Sequence, residues 1–275
     1  MLPGLDHRSL VDALVPSVLA AGRLQLAYFR TDIAVERKAD ASPVTAADRE
    51  SEALIVSALE RIAPGAIVAA EEAIAEGRVP PVVEEMFLVD PLDGTRDFVA
   101  GTEDFTVNIG FVSRGRAVFG LILVPARGEI YATFGPRAAG TARVDMSDTE
   151  LASSDLKWTP ITVREQPAAG LVAVASPWRP QEQIDAWLAS ERVDRKVYAG
   201  SSYKFCLVAR GDGDVYAQLG ATHEWDTAAG QAIVEAAGGT VVTRDGSPLV
   251  YGKAGSGYLN PPFMAWGARR AAADD

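Results

Sequence analysis

The chain alternates long stretches of helically spaced apolar residues with short, continuous apolar runs. From Ser9 to Phe29, Leu10, Leu14, Val18, Leu24 and Tyr28 recur at helical intervals and predict a first helix, with Pro16 as a kink site. "ADASPV" (Ala39–Val44) is a polar link. Thr45 to Asp48 then open a second helix through Leu54, Ile55, Leu59 and Ile62, stopped by "APG". Ala66–Ala70 and Met86–Val89 read as strands, and Phe105–Phe134 alternates apolar runs with "SRGR" and "ARGE" turns, as an antiparallel meander does. Further on come a strand at Leu171–Ala175, a helix at Gln181–Ser190, a short helix at Tyr203–Ala209 and a strand at Asp214–Gln218. A last helix runs from Asp226 to Ala237, where Gly238-Gly239 ends it. The pattern changes near Leu151–Thr159 and predicts two lobes, residues 1–155 (α+β) and 156–275 (α/β).

Composition narrows what such a fold can do. The 275 residues are 48% hydrophobic and 23% charged, enough for a sizeable core. No apolar run approaches the roughly 20 residues of a membrane span. Met1–Arg8 lacks the pattern of a secretory leader, and the single Cys206 excludes an internal disulfide, so a cytoplasmic location is expected. With 26 basic against 37 acidic residues the net charge is −11, which argues against a nucleic-acid polymer as partner. A small phosphorylated ligand remains compatible if carboxylate-held cations reverse the sign locally.

The acidic residues that could hold such cations lie where elements end or begin. Glu71 and Glu72 follow "AIVAA", Asp90 and Asp93 follow "MFLV", and Asp226 opens the helix of "WDTAAG". Hard oxygen donors without His or Cys select Mg²⁺ over zinc. In "LVDPLDGTRDF" (Leu88–Phe98), Pro91 restricts the backbone and Gly94 permits a tight turn, aiming Asp90 and Asp93 at one point and exposing the Leu92 carbonyl. Each piece has a plainer reading when taken alone. Asp226 is an ordinary helix cap, Asp48 the partner of Thr45 in a variant capping box, and Glu71-Glu72 a solvated loop. His7 and His223 read as bystanders, His223 in a loop.

Together, "EE" (Glu71-Glu72), "DPLDGT" (Asp90–Thr95) and "WDTAAG" (Trp225–Gly230), in this order, resemble the motifs of the inositol monophosphatase superfamily of Mg²⁺-dependent, lithium-sensitive phosphatases. "KADASPVTAAD" (Lys38–Asp48), "EDFTVNIGF" (Glu103–Phe111), "GSSYKFCLVARG" (Gly200–Gly211) and "YLNPPF" (Tyr258–Phe263) are similar to its CysQ branch, the bacterial 3'(2'),5'-bisphosphate nucleotidases. The resemblance implies a layered αβαβα sandwich of the inositol monophosphatase/fructose-1,6-bisphosphatase type. It also implies removal of the 3'-phosphate of adenosine 3',5'-bisphosphate, action on 3'-phosphoadenosine 5'-phosphosulfate, and a link to sulfate assimilation.

The same resemblance implies Glu71, Asp90, the Leu92 carbonyl, Asp93 and Asp226 as ligands of two or three Mg²⁺ ions; Glu72 is expected behind them, since neighbouring side chains at a strand end point different ways. Asp48 and Thr95, together with Glu71, would manage the attacking water; Gly94, Thr95, Ser201 and Lys204 would hold phosphate. One departure concerns the substrate: related nucleotidases carry an arginine where "GDVYAQL" has Gln218, and glutamine cannot grip a phosphate bidentately. The alternatives are an inositol or sugar monophosphatase of the same fold and a non-catalytic metal or nucleotide sensor. The chain is expected to act as a monomer or homodimer.

Overall fold

The computed structural model describes residues 6–32, 34–37, 43–81 and 83–268. Most of the polar link and the acidic C-terminal "DD" therefore lie outside the described residues. The first helix, α1 (His7–Tyr28), is capped by Asp6 and contains Pro16. By length and composition alone it could cross a membrane, but half of it is buried against its neighbours. A two-stranded hairpin, β1 (Glu36–Arg37) with β2 (Pro43–Val44), leads into α2 (Ala46–Ile62), which starts at a complete Thr45–Asp48 capping box.

A seven-stranded sheet follows: β3 (Ile67–Ala70), β4 (Glu85–Asp93), β5 (Thr106–Ser113), β6 (Arg116–Val124), β7 (Glu129–Gly135), β8 (Ala138–Arg143) and β9 (Thr159–Ile161), in that spatial order. Only β3 and β4 run parallel. Two short helices interrupt it, α3 (Glu71–Ala75) after β3 and α4 (Thr95–Val99) after β4. The expected lobe boundary falls just ahead of β9, so this sheet draws on residues beyond 155.

The second sheet has the order β11 (Val193–Tyr198), β10 (Leu171–Ala175), β12 (Val215–Gln218), β16 (Phe263–Trp266), β14 (Thr240–Thr243). Its helices are α5 (Gln181–Trp187), α6 (Tyr203–Ala209) and α7 (Glu224–Ala236), and β13 (Thr222–His223) pairs with β15 (Leu259–Asn260). In layers, α1 and α2 cover one face of the first sheet, and α7 with α6 lies between the two sheets. Ile184 of α5 packs on the far face of the second, which completes the αβαβα sandwich.

The apolar run before the first motif is explained by this layering. Alternate residues of a strand point to opposite faces, and both faces of β4 are covered. Met86 and Leu88 enter the core shared with α7, while Phe87 and Val89 enter the core under α1 and α2. The small residues of "WDTAAG" have a packing reason too. Gly110 and Gly120 face each other across β5 and β6, and a Cβ on Gly120 would overlap the Ala229 carbonyl of α7. Helix α7 thus lies flush on the sheet, which brings its first turn to the end of β4.

Candidate active site

Each acidic residue is placed by a local device. On β4 the ladder to β5 is regular up to Asp90 opposite Asn108 and resumes at Asp93 opposite Thr106, so Pro91 and Leu92 together oppose the single Val107 and bulge. The bulge is secured from both sides. Buried Gln25 of α1 donates to the Pro91 carbonyl at 2.7 Å, and the Leu92 amide donates to Asp90 Oδ1 at 3.0 Å. Gly94 then adopts φ 87°, ψ 39°, a left-handed conformation that suits glycine, and starts α4 at Thr95.

Glu71 and Glu72 open α3 and diverge. Buried Glu52 of α2 accepts from the Glu72 amide (2.7 Å) and the Ala73 amide (2.8 Å), capping α3 from another helix. Glu72 is buried and lines a separate cavity with Arg49, Glu52 and Arg78. Asp226 is the third residue of α7, one turn in, and its Oδ2 accepts from the amide of His223, the cap residue. His223 is therefore part of β13 and of the helix start, stacked on Trp225 with centroids 4.6 Å apart, rather than in a loop.

These placements gather Glu71, Asp90 and Asp226 into one cluster whose ligand oxygens all lie within 4.8 Å of one another. Burial pushes the Asp90 carboxyl well up, and the charges of Glu71, Asp93 and Asp226 push it further. Asp226 is raised by burial and by Asp93 and Glu71. Such a cluster repels itself unless protons or cations enter it, and its all-oxygen donor set fits Mg²⁺. Asp93 stands beside the trio. Its Oδ2 accepts from the Ser202 amide (2.6 Å), the Ser202 hydroxyl (2.7 Å) and the Ser201 hydroxyl (2.9 Å).

The Asp48–Thr95 pair is assembled across 47 residues of chain. Oδ2 of Asp48 accepts from the Thr45 amide (2.8 Å) and hydroxyl (2.7 Å), while Oδ1 faces the Thr95 hydroxyl at 3.0 Å. The Thr95 hydroxyl also lies 3.3 Å from the Leu92 carbonyl. Cap and site contact thus use different oxygens of one carboxylate, and both are present.

Ser201 comes from the turn before α6, and Lys204 is the second residue of that helix. Ser201 has φ 51°, a conformation uncommon for a residue with a side chain. Its hydroxyl lies 2.6 Å from Thr106 Oγ1, and its carbonyl accepts from Lys204 Nζ at 2.6 Å. Lys204 is buried, not solvated; burial lowers its pKa while Asp93, Asp97 and Asp104 act to raise it. Asp93, Gly94, Ser201, Lys204 and Asp226 line one cavity of about 250 Å³ together with Trp178, Arg179 and Gln218.

Several supporting residues escaped sequence reasoning. Asn108 donates to Ser202 Oγ at 2.9 Å and to Asp93 at 3.4 Å, and Thr106 donates to Asn108 Oδ1 at 3.0 Å. The usable signal was a Thr and an Asn two apart within "FTVNIGF", since a polar residue inside a buried strand needs partners. Gln25, Glu52 and Arg179 carry no comparable local signal.

A five-layer sandwich with a carboxylate cluster around buried Asp90 at the end of β4 defines a class of metal-dependent phosphatases. The profile of the inositol monophosphatase family matches residues 6–272, and the chain belongs to that family, whose members are generally Mg²⁺-dependent. Within it, the chain is 34% identical over 229 residues to the 3'(2'),5'-bisphosphate nucleotidase CysQ of Escherichia coli K12, covering 83% of this chain and 87% of that one. The CysQ of Buchnera aphidicola is 36% identical over 180 residues, 65% of this chain and 63% of that one. The crystal structure of CysQ from Bacteroides thetaiotaomicron matches with a TM-score of 0.75 at 31% identity, covering 94% and 97% of the two chains. An inositol monophosphatase from Anabaena shares the fold, with a TM-score of 0.70 at 24% identity.

Proposed function

We propose that this chain is a cytoplasmic, Mg²⁺-dependent 3'(2'),5'-bisphosphate nucleotidase. It converts adenosine 3',5'-bisphosphate to AMP and phosphate, acts also on 3'-phosphoadenosine 5'-phosphosulfate, and so serves sulfate assimilation. The observation that carries this reading is the Glu71–Asp90–Asp226 cluster, built round buried Asp90, together with the Thr95–Asp48 pair, in a chain similar to CysQ nucleotidases over most of its length.

Glu71, Asp90, Asp93, Asp226 and the Leu92 carbonyl hold two or three Mg²⁺ ions, and Li⁺ inhibits. Bound there, the ions neutralise the phosphate oxygens and stabilise the leaving oxygen. The protein's own groups manage the water. Thr95 donates its proton to Asp48 Oδ1, which leaves the Thr95 oxygen free to accept the proton of the attacking water. Asp48 cannot swing away, because its other oxygen is held by Thr45. As the water oxygen bonds to phosphorus, the bond from phosphorus to the 3'-oxygen breaks, the departing oxygen takes a proton from water to become the 3'-hydroxyl of AMP, and no protein nucleophile is consumed. Gly94 and Thr95 approach the scissile phosphate, and Ser201 and Lys204 take the far side of the substrate.

Gln218 favours the rival reading, a monophosphatase that ignores a second phosphate. Phosphate release from adenosine 3',5'-bisphosphate and from inositol 1-phosphate, each with Mg²⁺ and with EDTA, separates the two. The nucleotide is expected to be preferred, and only with Mg²⁺. Preference for the inositol ester transfers the function to the rival, and no turnover of either leaves a binding protein.

A further inference from the structure

Helix α6 separates two cavities. Lys204 and Phe205 line the one that holds Asp93 and Asp226, whereas Tyr203, Leu207 and Arg210, which follow each other along another face of the helix, line a second of about 420 Å³. Arg127 from the turn between β6 and β7, Arg164 just after β9 and Arg195 of β11 also reach this second cavity. Asp212 is the one acidic residue among those that line it. A chain of net charge −11 therefore brings four guanidiniums from separate elements to one wall, which reverses the sign of the charge locally.

Three of the four are oriented by carboxylates set behind that wall. Arg127 donates to Asp104 Oδ1 from Nε (2.9 Å) and Nη2 (2.6 Å), and Arg164 grips both oxygens of Asp214 with Nε (2.8 Å) and Nη2 (2.6 Å). Arg210 donates from Nη1 to Glu129 at 2.8 Å and also meets Asp212. Asp104, Asp214 and Glu129 are buried and do not line the cavity. Each pair thus turns its positive end towards the opening. Tyr203 adds to the fixing, with the Arg127 and Arg210 guanidiniums 4.9 and 5.6 Å from its ring centroid.

A guanidinium carries five N–H donors. The bonds to Asp104 and Asp214 use Nε and Nη2, so among the described residues Arg127 and Arg164 each keep the Nη1 group for another acceptor. Arg195, exposed on the edge strand β11, makes no ion pair among the described residues. We propose that this cavity is an anion site, distinct from the active site, for a tetrahedral dianion, sulfate or a phosphate group, with the Nη1 groups of Arg127 and Arg164 and the fork of Arg195 as donors. Tyr198 lines the same cavity with about half its surface exposed (52%), and its ring can carry a flat organic body attached to the phosphate. The site does not depend on which ester the active site cleaves.

Calorimetric titration of the full chain with sulfate and with AMP, in Mg²⁺ and at constant ionic strength so that screening is equal, tests the proposal. The variants are Arg195→Ala, Arg195→Lys, Tyr198→Ala and, as a comparison, Arg8→Ala, which removes an exposed arginine of α1 paired with Asp12. Arg195→Ala is expected to weaken sulfate binding about tenfold or more with kcat unchanged. Arg195→Lys should recover part of the loss, because an ammonium keeps the charge without the fork. Tyr198→Ala tells the two sources of the group apart: weaker binding of AMP alone marks a phosphate on an organic body, and unchanged AMP binding marks the free ion. Absence of sulfate binding in wild type, or an affinity that survives Arg195→Ala, overturns the site. So does an equal fall in Arg8→Ala, which would reduce the effect to net charge.

Discussion

Asp48 shows how one side chain serves both fold and site. Its Oδ2 closes the capping box of α2 and its Oδ1 meets Thr95. Asparagine can keep the cap, since it too accepts an amide proton, but it cannot receive a proton from Thr95. Asp48→Asn should therefore lower kcat by roughly 10²–10⁴-fold, the range of general acid–base help, while costing at most about 1 kcal/mol of stability. Steady-state kinetics beside thermal melting check this; a variant that melts early and keeps its kcat would reduce Asp48 to a cap. Asp93→Asn should exceed the roughly 100-fold loss typical of an outer partner of a metal site with an intact fold by circular dichroism. An active Asp93→Asn enzyme would remove Asp93 from the chemistry.

The residues that sequence reasoning reached, Glu71, Asp90, Asp93, Thr95 and Asp226, lie in short contiguous motifs where turn formers and carboxylates crowd together. Those it missed act through contacts distant in sequence, such as Gln25 on Pro91 and Glu52 on the Glu72 amide. Thr106 stands opposite Asp93 and Asn108 opposite Asp90, and β5 brings them to Ser201 and Ser202, more than ninety residues away, a juxtaposition that no local pattern carries.

At the scale of elements, α1, α2, α6 and α7 were legible from apolar spacing, within a few residues at their ends. Helix α7 begins at Glu224 rather than Asp226, because the His223 amide and the Asp226 carboxylate close its first turn. Strand β11, "VDRKVY", was missed because it lies at the sheet edge and buries none of its residues fully, so they do not alternate cleanly. Strands β14 and β16 were missed because they are short and their apolar residues gain meaning only from pairing with each other and with β12. The five-residue helices α3 and α4 read as turns, too short to show a period. The flush contact of α7 on Gly110 and Gly120 leads to a prediction at this scale. Gly120→Ala drives a methyl into the Ala229 carbonyl and should cost about 1–3 kcal/mol. It should also raise the Mg²⁺ concentration needed for half-maximal activity, because Asp226 rides on the same helix. Unchanged melting and Mg²⁺ dependence would show that α7 does not set the position of Asp226.

For the whole molecule, the layered arrangement followed from the motif resemblance and not from periodicity, which reached elements but not their stacking. The resulting burial makes the carboxylate cluster a stability element. Asp90 and Asp226 have folded pKa values raised above those of the unfolded chain, chiefly by burial. In the metal-free protein the stability they contribute is therefore fully present below the ordinary carboxylate pKa of about 4 and is lost as pH rises through the raised values. Mg²⁺ offsets that repulsion. The gain in Tm on adding Mg²⁺ should accordingly be larger at about pH 8 than at about pH 5, where protons compete for the same oxygens. A gain that is absent, or larger in acid, would contradict a Mg²⁺ site in this cluster.

The central claim is that the cluster cleaves one phosphate of a nucleotide while the far end of the cavity keeps the other. Phosphorus NMR of adenosine 3',5'-bisphosphate incubated with the enzyme and Mg²⁺ tests it most directly. The account predicts loss of the 3'-phosphate resonance, appearance of inorganic phosphate and retention of the 5'-phosphate in AMP. Release of the 5'-phosphate, or a substrate left intact with Mg²⁺ present, would contradict it.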